Sequence, residues 1–150
     1  MFFYIFAYGS LMNLKSLVQT SPTAEIIGSV KLKGYQRKAN AIHHEFTDVA
    51  MNIIPNPSSS VTGLLVKVPE VDMPALKQRE TGYEMCDVTN LIVPTPTDRV
   101  YAFVAPDTDE YNGKQVSRSY LNLCLDGVPL DERELWLQET VIECDINEDE

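Results

Sequence analysis

Phe2-Phe3-Tyr4-Ile5-Phe6-Ala7-Tyr8-Gly9-Ser10-Leu11-Met12 is the stretch from which the rest of the chain is read. Aromatic and β-branched residues favour a pleated, buried strand, so residues 2–8 are expected to be extended. Gly9 then allows a positive φ or a close approach to a ligand. Asn13 is placed to cap a helix through Leu14, Leu17 and Val18. A turn of this kind gathers backbone N–H groups beside a helix start, which makes a concave site for an anion. Strand, Tyr-Gly-Ser turn and helix together form a candidate ligand cradle.

The apolar run is too short to span a bilayer and lacks a preceding basic region. With Tyr8-Gly9-Ser10 interrupting it, it reads as a strand and not as a signal peptide. Further along, Pro22 stops the first helix. Residues 25–35 near-alternate through Val30 and Leu32, bent at Gly28 and Gly34. Residues 39–42 and 49–54 read as strands, with a turn at Pro55-Asn56-Pro57-Ser58-Ser59-Ser60 and another strand over 61–68. Asp72 is positioned to cap a helix over 73–80, with Pro74 in its first turn and Gly82 ending it. Residues 83–93 read as extended and 99–105 as a strand. Ser117 caps a helix that ends at Gly127, and a last helix carries Leu135, Trp136 and Leu137. Many strands with about four short helices specify an α+β domain.

The chain has 150 residues, enough to bury a sizeable core as one domain, spanning residues 1–142. Its formal charge of −10 argues against nucleic acid and against an anionic membrane surface as partners. Five of the acidic groups (Glu143, Asp145, Glu148, Asp149, Glu150) fall in the last eight residues, so residues 143–150 are expected to be a solvated acidic tail. Cys86, Cys124 and Cys144 are odd in number and widely spaced, which points to reduced thiols and a cytoplasmic protein. Cys124 lies in an apolar run, where a buried inert thiol is expected.

Among ionisable residues, Glu80 draws attention because it ends an amphipathic helix just before Thr81-Gly82-Tyr83 and a returning strand. Periodicity alone does not separate it from Glu84, and either can be a solvated surface charge. Three blocks together resemble the γ-glutamylcyclotransferase-like family. They are Tyr8-Gly9-Ser10-Leu11; Gly63 followed by a helix ending at Glu80 and by Gly82-Tyr83; and Ser117-Arg118-Ser119-Tyr120-Leu121 with Gly127. The resemblance implies a small mixed β-barrel with peripheral helices. It also implies cyclisation of a small-molecule γ-glutamyl amine or peptide to 5-oxoproline, with Glu80 as general acid/base. Backbone N–H groups of Gly9, Ser10 and Leu11 would hold the substrate's α-carboxylate or the developing oxyanion. Tyr8 and Tyr120 would offer hydroxyl donors, and Tyr83 would either shape the cavity or pack in the core. No metal or organic cofactor is implied.

Other constellations carry less. Ser10 with His43 or His44 invites a serine-hydrolase reading. A nucleophile elbow, however, needs glycines two residues before and after the serine, where this chain has Tyr8 and Met12. Adjacent His43 and His44 on a strand would face opposite ways, a poor arrangement for shared metal ligation; a loop or surface position suits them better. A non-catalytic relative that keeps the fold and pocket to bind a small molecule or a protein segment is the second functional reading.

Overall fold

A computed structural model describes residues 1–45 and 47–148. Strand β1 (Phe2–Ala7) lies at the centre of a mixed sheet. It pairs antiparallel with β3 (Ala50–Pro69), from Phe2↔Pro69 to Ala7↔Leu64, and parallel with β6 (Val100–Val104). Beyond β6 lies β4 (Glu84–Asp87), and beyond β3 lie β2 (Glu25–Ala41) and the short β5 (Ile92–Val93), with β8 (Thr140–Val141) also on β2. The sheet curls into a half-barrel with four short helices on its periphery, the α+β architecture expected. Burial increases along β1, so that Ile5, Phe6 and Ala7 are sealed in the core immediately before Tyr8. The aromatic-rich start of the chain thus delivers the Tyr-Gly-Ser turn to the inside of the curl.

β2 and β3 form one long antiparallel arm, which differs from the shorter strands and the turn at 55–60 expected from sequence. The prolines do not end the strand because Pro57 falls in an irregularity and Pro55 pairs at its edge. Lys33 pairs Ser60 and Tyr35 pairs Pro55, so residues 56–59 lie opposite Gly34 alone. A bulge releases proline from the ladder hydrogen bonds that it cannot donate. The other expected bend, at Gly28, is also a register shift. Residues 83–93 are less regular than expected. β4 gives way to a 3-10 turn over Thr89–Leu91 before β5.

The helices begin where the sequence places them. Asn13 Oδ1 accepts from Ser16 N–H at 3.2 Å to cap α1 (Leu14–Thr20). Its amide also donates to the Leu123 carbonyl at 2.9 Å, joining α1 to α3 (Arg118–Asp126). Ser117 Oγ caps α3 through Tyr120 N–H at 3.1 Å. Asp72 stands before α2 (Met73–Arg79) but does not cap it. Its carboxylate accepts from Ser21 Oγ at 2.7 Å instead, tying α2 to the end of α1. The last helix, α4 (Arg133–Gln138), brings Trp136 into the core, where it is 1 % exposed.

Gly82 ends the α2 turn with φ +93°, and a Cβ there would stand 3.0 Å from the His43 ring. Gly82→Ala is therefore expected to destabilise the protein by about 1–2 kcal/mol from the left-handed backbone alone. Displacement of His43 adds to that cost. Urea unfolding of the variant measures it, and an unchanged midpoint would mean that the turn can relax.

Within the acidic stretch expected as a solvated tail over 143–150, the carboxylates of Glu143, Asp145 and Glu148 are exposed while the backbone between them is tied down. β9 (Ile146–Asn147) pairs parallel with β7 (Val116–Ser117). Glu148 pairs Arg118 at 2.7 Å and Glu143 pairs Lys38 at 2.8 Å. The cause is alternation: Ile142, Cys144 and Ile146 pack on the core while Glu143 and Asp145 face outward. Asp149 and Glu150 lie outside the described residues.

Candidate active site

A cleft opens where the curled sheet meets α2 and α3. The turn at Tyr8, Gly9, Ser10 and Leu11 forms one side; Glu80 and Tyr83, from the end of α2, line it as well. Phe6, Met51 and Phe103 supply apolar surface, and Tyr120 reaches in from α3. All seven residues singled out from sequence line this one cleft.

Gly9 has φ −136°, so it is not in the left-handed region. Close approach is what requires glycine here. A Cβ would lie 3.0 Å from Met51 Cβ and 3.4 Å from the Tyr120 hydroxyl. Ser10–Met12 then form a 3-10 turn, closed by Met12 N–H to the Gly9 carbonyl at 3.0 Å. The leading amides of such a turn have no partner within it, and Ser10 and Leu11 border the cleft.

The cradle is held from behind by Arg37, a residue that sequence reasoning missed. Arg37 is fully buried on β2. Its Nε donates to the Tyr8 carbonyl at 2.8 Å, Nη1 to the Trp136 carbonyl at 3.2 Å, and Nη2 to the Thr62 carbonyl. The guanidinium lies 4.6 Å over the Trp136 ring, and the indole N–H also donates to the Tyr8 carbonyl, at 3.1 Å. Two donors on one carbonyl fix the peptide plane entering Gly9. Burial lowers the Arg37 pKa to about 10, so it remains charged at neutral pH. A usable signal was its position two and four residues before Ala39 and Ala41, an arginine on the apolar face of a strand.

Glu80 and Glu84, inseparable by periodicity, occupy different places. Glu84 is exposed on β4, whereas Glu80 is half-buried in the cleft. Burial pushes the Glu80 carboxyl up to about 7, against a smaller downward pull from the Arg79 guanidinium. Three phenols surround it. Tyr8 donates its proton to the Phe103 carbonyl at 2.5 Å and Tyr83 donates to the Met51 carbonyl at 2.6 Å. Tyr120 instead accepts from Met51 N–H at 2.9 Å and shares a side-chain hydrogen bond with the Cys124 thiol. Of the two hydroxyl donors expected, Tyr8 is committed to a backbone carbonyl, whereas Tyr120 has the Cys124 thiol as its side-chain partner. Burial raises all three phenols well above their ordinary pKa, so they are neutral at pH 7.

His43 and His44 follow β2 in a loop, as expected, but their rings do not point apart. Their centroids are 4.2 Å from one another, because the chain there is not a strand. Ser10 Oγ is engaged by Arg79 Nη2 at 3.4 Å. Cys124 is fully buried, with its thiol pushed up to about 12, in keeping with an inert core sulfur.

A sequence profile described as gamma-glutamyl cyclotransferase, AIG2-like, matches residues 5–122. The chain belongs to that family. The matched span runs from β1 into α3, and so includes the cradle, Glu80, Tyr83 and Tyr120. Among solved structures, this cyclotransferase-family chain superposes on one named gamma-glutamyl cyclotransferase with a TM-score of 0.75. That pair shares 16 % identity, over 99 % of this chain and 90 % of the other. An uncharacterised protein from Homo sapiens gives 0.74 at 16 % identity, over 98 % and 90 %. A protein from Arabidopsis thaliana gives 0.57 at 21 % identity, over 74 % and 78 %. At these identities the likeness is one of fold. Comparison with curated protein sequences gives no match. Among the described residues, no helix of this family member is long and apolar enough to cross a membrane.

Proposed function

We propose that the protein cyclises a γ-glutamyl amide to 5-oxoproline, releasing an amine, with Glu80 as the single general acid/base. The observation that carries this reading is a carboxyl with a pKa of about 7, set in a cleft shared with the Gly9–Ser10–Leu11 backbone. The family description and the structural relative named as a cyclotransferase support it.

The chemistry needs little else. The substrate's own α-amine attacks its γ-carbonyl carbon, so the protein's chief task is to hold the substrate folded on itself. The amine is largely protonated near pH 7, with a reference pKa of about 7.7–8.0, and must first become neutral. Its nitrogen lone pair forms the new C–N bond while Glu80 takes a proton from that nitrogen. As the tetrahedral intermediate collapses, the original C–N bond breaks and Glu80 returns the proton to the leaving nitrogen. No water is consumed, and the carboxylate is regenerated. A base with a pKa near the working pH suits both halves. The Ser10 and Leu11 amides serve the α-carboxylate or the developing oxyanion. Tyr120, which lines the same cleft, is a substrate contact. Backbone donors let an acidic protein hold an anion without a lysine in contact.

The test is release of 5-oxoproline from a panel of γ-glutamyl amino acids, γ-glutamylamines and glutathione. Release by the wild type and its loss in Glu80→Gln are expected. If no compound turns over while one still raises the melting temperature, the site is a binding pocket and the catalytic reading fails.

A further inference from the structure

Arg79 immediately precedes Glu80, and its guanidinium faces away from the helix that carries it. Nη1 donates to the Ser16 carbonyl at 2.9 Å and to Thr20 Oγ1 at 3.2 Å. Nη2 donates to Ser16 Oγ at 2.8 Å and to Ser10 Oγ at 3.4 Å. One planar group thus joins the end of α2, two turns of α1 and the cradle. Among the described residues, no carboxylate lies within ion-pair distance of it. Its charge is therefore solvated by neutral oxygens beside the cleft, in a protein whose net charge is −10.

Two consequences follow from elementary hydrogen-bond chemistry. A hydroxyl has one proton and two lone pairs, so a Ser10 that accepts from Arg79 retains its proton for another acceptor. Ser10 borders the cleft, where an anionic ligand would be that acceptor. In addition, a cation held one residue from Glu80 favours its carboxylate form. The other groups around Glu80 are Tyr8 from the end of β1, Tyr83 on its own turn and Tyr120 from α3, all neutral, with His43 packed on Gly82 beyond. Arg79 is thus the fixed charge that bears on it.

We infer that Arg79 is a positioning residue of the cleft: it clamps the Glu80-bearing end of α2 to α1, and it turns the Ser10 hydroxyl toward the carboxylate of a bound substrate. The inference rests on the proposed cyclisation for the identity of that carboxylate; its geometry does not. A lysine cannot reproduce it, since an ammonium is a point charge without the planar fork that spans Ser16, Thr20 and Ser10.

The experiment compares wild type, Arg79→Gln, Arg79→Lys, Ser10→Ala and the Ser10→Ala/Arg79→Gln double variant. For each, KM, kcat and the pH profile are measured with the best γ-glutamyl substrate. The Glu80 carboxyl is titrated by carbon NMR, its resonance assigned by its loss in Glu80→Gln. Arg79→Gln is expected to raise KM about tenfold, the worth of one charge-assisted hydrogen bond, and to move the Glu80 midpoint to higher pH. Ser10→Ala should reproduce the KM effect without moving the midpoint. Adding Ser10→Ala to Arg79→Gln should then raise KM little further, because both act through one hydroxyl. Arg79→Lys should restore the midpoint but not KM. A folded Arg79→Gln with an unmoved midpoint and KM overturns the inference, as does a loss confined to melting temperature. If the wild type turns over nothing, the cyclisation reading fails and the Glu80 titration alone decides: an upward move in Arg79→Gln upholds the clamp, and no move refutes it.

Discussion

Glu80→Gln is expected to lower kcat for 5-oxoproline release by about 10²–10⁴-fold, the usual contribution of a positioned general acid/base, with KM changed far less. Glutamine is nearly isosteric and its amide can occupy the same half-buried place. What it cannot do is take a proton from the attacking amine and return it to the leaving one. The same assignment fixes the wild-type pH dependence. Glu80 must be ionised to accept a proton, so kcat/KM should rise with pH through about 7, where its carboxyl titrates. The neutral form of the substrate amine increases over an overlapping range, so the rise should continue above that point. Steady-state kinetics across pH 5 to 9 reads both effects. Full turnover by Glu80→Gln would remove this residue from the mechanism.

The same substitution should stabilise the fold above neutral pH. Glu80 titrates near 7 in the folded protein and near 4.5, its ordinary value, when unfolded. Between these values the folded state holds a proton that the unfolded state has released. Stability due to this group is therefore full at low pH and falls as pH rises through the window. The cost of leaving an ionised carboxylate in the cleft at pH 8 is about 2–3 kcal/mol, after allowance for partial exposure. Glutamine never ionises. Glu80→Gln should thus match wild type near pH 4 and exceed it at pH 8 by roughly that amount, a stability gain at the expense of activity. Every other titration is common to both proteins and cancels in the difference. Urea midpoints at the two pH values test this, and a difference independent of pH would show that Glu80 is well solvated when folded.

The sequence was readable where one residue settles a local backbone choice. Asn13 and Ser117 cap the helices that follow them, Gly82 ends α2, and β1 delivers the cradle to the cleft. It was less readable where the deciding partner is remote. Pro55 and Pro57 look like strand terminators until the register shift opposite Gly34 on β2 takes in Pro57 and leaves Pro55 paired at its edge. The acidic ending keeps its exposed carboxylates, but the pairing of Ile146 and Asn147 with β7 is not visible from its composition. Glu80 and Glu84 differ only once the sheet curls over one of them. The same limit hid that Tyr8 spends its proton on Phe103, 95 residues away. Arg37 is the extreme case, because every partner that makes its burial tolerable comes from another element.

Arg37→Met is accordingly expected to be the most disruptive substitution for stability. Methionine fills much of the volume and spares the desolvation of a charge, a trade that is sometimes neutral when all partners are replaced together. Here the partners stay behind. The Thr62 carbonyl loses its Arg37 donor, the Trp136 carbonyl loses one donor and keeps Thr140 Oγ1, and the Tyr8 carbonyl loses one donor and keeps the Trp136 indole. Glu139, 3.8 Å from the guanidinium, retains Thr62 N–H and Oγ1 but loses its nearby cation. Removing one side of such a network costs about 3–5 kcal/mol. For a chain of this size that lowers the melting temperature by about 6–20 °C. Trp136 is the sole tryptophan and lies against Arg37, so its fluorescence reports both the unfolding transition and any loosening in the folded state. Arg37→Lys keeps the charge but cannot reach three carbonyls at once, and should fall between wild type and Arg37→Met. At a temperature where both variants remain folded, the peptide entering Gly9 is held by the indole alone. KM for a γ-glutamyl substrate should then rise while the Glu80 limb of the pH profile stays in place, since nothing next to that carboxyl has changed. A variant that loses stability yet binds substrate as wild type would show that the 3-10 turn holds the cradle without help from behind.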